Sequence, residues 1–383
     1  MENNKYDKIT NIVLIILILL ICAITAFSMT VVASGNFNLD IDCLLALQSF
    51  RNKTNGIFDT FFASITEFGT SYVTGCICII VFYGIDSKIG LFLFQTSAFG
   101  RLVNGTLKLT ACIYRPWIRS PKIKPLPSAL PGATGYSFPS GHSTNASTLF
   151  LGISYISLVK PLTTKDKKKS IISKTLFVLG IVFSLLVMFS RIYAGVHTPQ
   201  DILVGCLSSV AVIIIVHKVN LYIAKNSSSR RSFIVLLSSV ALATFCIIYF
   251  ETKSYPLTYV SGKLLVDPEK MIVDSYSAIG AFLALSLATF LTTITNLNLT
   301  QITKANHKSI VIKTIILRTV FTIAALAIFS FMCKNLPSTL SKSMPKKNAY
   351  LLSNFLTYFI ITIIFPLVLK FITIKISNRK TEA

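Results

Sequence analysis

Acidic side chains are scarce in this chain: 14 Asp and Glu stand against 37 Lys and Arg in 383 residues, a formal net charge of +23. Charged residues of both signs make up only 13%, against 53% hydrophobic. The apolar residues fall in long blocks rather than alternating with polar ones, which excludes a pair of ordinary soluble domains. Histidine is rare too, so any imidazole chemistry is confined to His142, His197, His217 and His307. The 8 cysteines are scattered, and no spacing among them, Cys76-x-Cys78 included, matches a zinc site. No disulfide framework, metal or other cofactor is implied, and burial is the expectation for the thiols.

What is present is a series of blocks long enough to cross a hydrocarbon core. Ile12 to Val32 carries no charge, and about 20 apolar residues suffice to span. Similar blocks recur at 69–84, 89–113, 143–159, 172–189, 202–216, 232–250, 274–298, 309–332 and 349–369. These predict an all-α polytopic membrane protein with ten spans, the third and ninth interrupted by Arg101, Lys108 and Arg318. The first block exceeds the apolar core of a secretory signal and follows a mixed rather than basic segment, so it reads as a span. A charge of this sign in a soluble protein would suggest nucleic acid. Here more than half of the cations fall on alternate loops, as they do on the cytoplasmic side of membrane proteins. The expected partner is therefore the bilayer and not nucleic acid, with the N-terminus cytoplasmic. Lys342, Lys346 and Lys347 run against that rule.

The chain divides by content. Residues 1–223 hold six predicted spans and every chemically suggestive cluster; 232–383 hold about four spans and no comparable cluster; 224–231 is a short, basic, polar linker. Between the first two spans, Leu39 to Phe68 has the spacing of an amphipathic helix, with Phe50, Phe58, Phe61 and Phe62 available to a bilayer surface or to neighbouring spans.

Three clusters carry chemistry. In the first, Lys108 and Arg115 are seven residues apart, nearly two helical turns, which predicts that both lie on one face of the third span. Pro116 then ends that helix, or at least disfavours helical geometry at Arg115. Two cations there are costly unless they meet an anion. In the second, Ser140 reads as a helix N-cap, Gly141 allows close backbone approach, and His142 is placed to give a proton to a departing oxygen. The third runs from Ser190-Arg191 to His197 and Asp201. Thr198-Pro199 starts a helix, so Asp201 faces back toward His197, accepts one ring N–H and leaves the other nitrogen free to attack. Arg191 offers a planar fork suited to phosphate oxygens. With the N-terminus inside, all three clusters converge on the extracytoplasmic face.

Taken together, KxxxxxxRP, PSGH and SRxxxxxHxxxD resemble the pattern of the type 2 phosphatidic acid phosphatases (PAP2), which share a fold with vanadium haloperoxidases. The resemblance covers roughly residues 40–216. It implies a six-helix catalytic bundle in which His197 is the nucleophile, Asp201 orients it and His142 protonates the leaving group. It further implies that Lys108, Arg115, Ser140, Gly141 and Arg191 hold the phosphoryl oxygens, with no metal. The expected activity is hydrolysis of a lipid phosphate or diphosphate through a phosphohistidine. Transfer of the phosphoryl group to another lipid or sugar is the alternative, and a transporter role for the extra spans is a weaker one. The basic run from Arg115 to Lys124 is open to two readings, a site for a second phosphate with Trp117 as interfacial anchor, or attraction to anionic headgroups.

Overall fold

A computed structural model describes residues 2–35, 37–159, 167–225, 228–260, 263–295 and 308–378. In chain order the helices are α1 (Glu2–Phe27), α2 (Leu39–Lys53), α3 (Asp59–Glu67), α4 (Ser71–Ile79), α5 (Ser87–Ala111) and α6 (Pro116–Arg119). They continue with α7 (Gly141–Ala146), α8 (Gly152–Val159), α9 (Lys167–Tyr193), α10 (Pro199–Ala224), α11 (Ser228–Thr252) and α12 (Pro268–Ile294). The last three are α13 (Lys308–Leu340), α14 (Lys346–Phe359) and α15 (Phe365–Asn378). Single π-turns continue α1, extend α4 to Ile85, and join α7 to α8 and α14 to α15. Among the described residues one antiparallel pair, Tyr259–Val260 with Lys263–Leu264, interrupts an otherwise helical architecture.

Among the described residues seven helices are long and apolar enough to cross a bilayer. A bent pair, Asp59–Glu67 with Ser71–Ile85, broken by 56°, would make eight. The protein is thus a multi-pass membrane protein, with fewer clean spans than the ten read from the sequence. The two expected spans outside that count are the ones that carry the first and second clusters. Helix α5 is 25 residues long, but Lys88, Arg101 and Lys108 spoil its hydropathy. The run α7–α8 is short and starts with polar residues. Functional polarity is what removes both from a composition count.

The chain forms two compact units. The first comprises Met1–Thr74, Phe99–Val216 and Phe250–Ser275; the second comprises Gly75–Ala98, His217–Tyr249 and Tyr276–Ala383. Their boundaries do not follow the sequence division at 224–231. The first unit takes in Phe250–Ser275 from beyond that linker, and the second takes in Gly75–Ala98 from before it. Motif content divides a sequence by chemistry, whereas compact units form wherever helix faces complement one another.

In the first unit α9 packs against α2, α3, α7 and α8. The amphipathic stretch read from the sequence is two helices, α2 and α3. Phe50 and Phe58 stack at 6.0 Å and stay exposed, while Phe62 turns inward onto Tyr193 at 4.4 Å and Phe189 at 5.3 Å. The sequence reading of surface against packing therefore resolves residue by residue. In the second unit α13 packs against α14 and α15, and Arg318 donates to the Tyr83 carbonyl at 2.6 Å. Burial is the sequence expectation for the thiols, but Cys22, Cys43 and Cys333 are exposed, on helix faces turned away from the rest of the chain.

Candidate active site

Helix α5 ends at Ala111, four residues short of Arg115. Cys112 then adopts a left-handed φ of 51°, and Arg115 is extended, capping the short helix that Pro116 begins. Lys108 and Arg115 are therefore not on one helical face, as their spacing suggested. Arg115 is non-helical, as the proline after it favours, but Pro116 starts the next element and does not end the last one, which stops at Ala111. Both cations nevertheless line a single cavity of about 290 Å³, together with Gly141, His142 and His197. The break between α3 and α4 gives that cavity another wall, Gly69 to Ser71. Of the other sequence-derived candidates, Ser140, Arg191 and Asp201 are buried but do not line it.

Lys108 Nζ donates to the carbonyls of Tyr136 at 3.0 Å, Ser137 at 3.3 Å and Pro139 at 2.8 Å. It thereby gathers the loop that delivers Ser140 and His142. Ser140 caps α7 as expected, its Oγ accepting from the Ser143 N–H at 3.3 Å. Helix α10 closes on this loop at Gly205, where an added Cβ would lie 3.0 Å from the Ser140 carbonyl oxygen. Gly69 is equally confined: its Cβ would fall 2.9 Å from the Cβ of His142 and 2.8 Å from Val187.

Arg115 is spent on four acceptors. Its Nε donates to the Gly135 carbonyl at 3.1 Å, Nη2 to that of Thr134 at 3.2 Å, and Nη1 to that of Val196 at 3.0 Å. The same Nη1 lies 2.9 Å from His197 Nε2. A guanidinium has only donors, so Nε2 must accept and carries no proton. The ring proton then sits on Nδ1, 3.3 Å from Asp201 Oδ2. The carboxylate of Asp201 also accepts from the Thr198 N–H at 2.9 Å and from Ser137 Oγ. As third residue of α10 it reaches back to the cap residue, one half of a capping box. The turn between α9 and α10 needs Gly195, at φ +70°.

Burial first, then Arg115, Arg191 and Lys108, hold the His197 imidazole well below its ordinary value of 6.5. Arg191 is 1% exposed, and its Nη1 donates to Thr66 Oγ1 at 2.7 Å. Its Nε and Nη2 make no hydrogen bond among the described residues. A buried fork with donors to spare fits an anionic ligand, since leaving them unmet costs on the order of 1–3 kcal/mol.

Ser137, whose Oγ donates to Asp201 and lies 3.5 Å from His197 Nδ1, is a residue that sequence reasoning missed. It lies one residue before the second cluster, and nothing in the local pattern separates it from an ordinary loop serine. The basic run beyond Arg115 goes elsewhere. Arg119 pairs with Asp40 at 2.6 Å, and Trp117 packs into two apolar clusters with Arg115 above its ring at 5.8 Å. Neither these residues nor Lys122 and Lys124 line the cavity.

Residues 90–225 match the family model of the PAP2 superfamily. The curated proteins the chain resembles are named as phosphatases. Phosphatidylglycerophosphatase B of Bacillus subtilis is 38% identical over 104 residues, 27% of this chain and 48% of that protein. The undecaprenyl-diphosphatase of Sulfolobus acidocaldarius is 28% identical over 37% of this chain and 61% of its own length. A dihydrosphingosine 1-phosphate phosphatase of Schizosaccharomyces pombe is 29% identical over 53% and 47%. The chain spans about half the length of the curated relatives it matches. Among solved structures, the transmembrane PAP2 type phosphatidylglycerolphosphate phosphatase from Bacillus subtilis aligns with a TM-score of 0.42 and 26% identity, covering 56% of this chain and 98% of that one.

Proposed function

We propose that the protein is a metal-independent membrane phosphatase that hydrolyses a lipid phosphate or diphosphate through a phosphohistidine. The observation that carries this reading is the tautomer of His197: a buried, unprotonated Nε2 at the wall of a cavity that Arg101, Lys108 and Arg115 also line. Burial and then the neighbouring cations hold the His142 imidazole well below its ordinary value of 6.5; an incoming phosphate offsets those cations and lets it take up a proton. In the first step Nε2 attacks phosphorus in line, the P–O bond to the alcohol breaks, and His142 gives that proton to the departing oxygen. Arg115 exchanges its bond to Nε2 for the phosphoryl oxygens, and Arg191, Lys108 and the amides at the start of α7 spread the remaining charge. In the second step water attacks phosphorus, its proton passes to His142, and the N–P bond breaks to release orthophosphate. Asp201 and Ser137 act as positioning residues, keeping the ring proton on Nδ1. Ser140 contributes as the cap that aims α7.

With the N-terminus cytoplasmic, the cavity opens on the extracytoplasmic side, where a lipid enters with its tails still in the bilayer. The test is phosphate release from a panel of lipid phosphates and diphosphates by the purified protein. It is paired with trapping of an acid-labile, base-stable phosphoenzyme that His197→Ala lacks. Activity should survive EDTA and fall with vanadate. Turnover by His197→Ala at the wild-type rate, or loss in EDTA restored by magnesium, overturns the mechanism.

A further inference from the structure

Among the described residues nothing hydrogen-bonds to the His142 ring, so its aim is set by the first turn of α7 that carries it. That turn lies against one face of α5. Gly100, Asn104 and Lys108 are spaced by four, which stacks them along a single ridge. At Gly100 an added Cβ would fall 2.6 Å from Thr148 Cγ2, so α5 and the π-turn after α7 approach there with no room for a side chain. At the other end of the ridge Lys108 holds the Pro139 carbonyl at 2.8 Å. Asn104 sits between them, buried, at the cavity wall.

The amide of Asn104 is oriented by its partners. Its Nδ2 donates to Thr144 Oγ1 at 2.9 Å and to the Pro139 carbonyl at 3.4 Å. A carbonyl oxygen only accepts, and the Thr144 hydroxyl spends its own proton on the Ser140 carbonyl at 3.0 Å. Both therefore need the nitrogen of Asn104 and not its oxygen. One NH2 group thus ties α5 to the residue before the Ser140 cap and to the fourth residue of α7, with His142 between the two. Lys108 shares the Pro139 carbonyl, but its bonds go to Tyr136, Ser137 and Pro139 and stop short of α7, so it does not replace the bond to Thr144. The same loop is closed by α12: a Cβ added at Gly135 would fall 2.3 Å from Met271 Sδ and Cε, and one at Gly105 would fall 2.5 Å from Ser275 Oγ.

A side chain bonded at both ends of a helical turn governs what that turn presents. General acid catalysis depends on such aim, since a misplacement of about 1 Å can cost on the order of 100-fold. We infer that Asn104 is a positioning residue, fixing the start of α7 so that His142 meets the leaving oxygen. This deepens the lipid-phosphatase reading and rests on it.

The experiment measures kcat and KM for phosphatidate and for 4-nitrophenyl phosphate in one mixed micelle. The alkyl leaving group of the first needs a proton, and the aryl leaving group of the second does not. Asn104→Leu nearly keeps the volume and removes both donor bonds; Thr144→Val keeps the shape of the partner and removes its acceptor. Each should lower the alkyl-to-aryl ratio of kcat about tenfold, the scale of one lost hydrogen bond, with KM for either substrate unchanged. In a His142→Ala background neither substitution should move the ratio further, because the group being aimed is gone. The ratio is taken within one preparation, so partial unfolding lowers both rates and leaves it unmoved. A wild-type ratio in whichever of the two variants folds, or a ratio that falls as much with His142 already removed, overturns the positioning role. Failure of His142→Ala itself to change the ratio removes the acid and the positioning role with it, while leaving the phosphatase standing. Phosphate release from neither substrate by wild type sinks the phosphatase reading itself.

Discussion

Tautomer and proton inventory at two histidines set what the site can do. Because burial and three cations keep His197 neutral well below its ordinary value of 6.5, the acid limb of kcat/KM should lie below pH 6.5. The nucleophile survives as pH falls through that value and is lost only when pH passes the depressed folded value. Stability has the matching sign: below pH 6.5 the unfolded chain takes up a proton at His197 that the folded one refuses, so acid favours unfolding there. A pH–rate profile with a half-maximum above 6.5 traced to His197 counts against this environment. His142 makes a different forecast. His142→Ala should slow alkyl phosphates by about 100-fold or more, the range of general acid catalysis, yet slow an aryl phosphate far less, since that leaving group needs no proton. Equal loss on both substrates removes the general-acid role. Spacing together with the family resemblance singles out these two residues with Lys108, Arg115 and Arg191, and His142, His197, Lys108 and Arg115 line one cavity. Ser137 was not, because its part depends on where Asp201 turns after the loop has folded.

Helices were predicted closely wherever hydropathy and function agreed, and less well where they conflicted. The start of α10 at Pro199 and the cap at Ser140 follow from local chemistry, so both were legible. The end of α5 was not. A seven-residue spacing looks helical, but Cys112 turns left-handed and moves Arg115 into a loop where carbonyls can hold its guanidinium. Packing between elements rests on small residues that no pattern announces. At Gly69 the break between α3 and α4 lies against His142 and Val187. Gly69→Val should therefore cost about 1–3 kcal/mol by overpacking and lower kcat by displacing His142. Thermal unfolding in detergent reads the first effect and lipid phosphate release the second; an unchanged Tm together with wild-type turnover contradicts the close contact.

Taken whole, the molecule is less divisible than its motifs suggest. All the residues of the PAP2 pattern lie before residue 202, yet the unit that contains them also takes in Phe250–Ser275. A truncation after Lys225 removes Met271 from Gly135 and Ser275 from Gly105, so it should unfold at lower temperature than the full chain and release less phosphate from lipid. Detergent-solubilised truncate with full Tm and full turnover would argue that the first six spans suffice. That dependence also imposes an order on biogenesis. Met271 follows Asp201 by about 70 residues, several seconds of synthesis at typical ribosomal rates. Every residue of the PAP2 pattern is therefore made before the element that packs against Gly105 and Gly135, and the first six spans await α12 for one wall of their cavity.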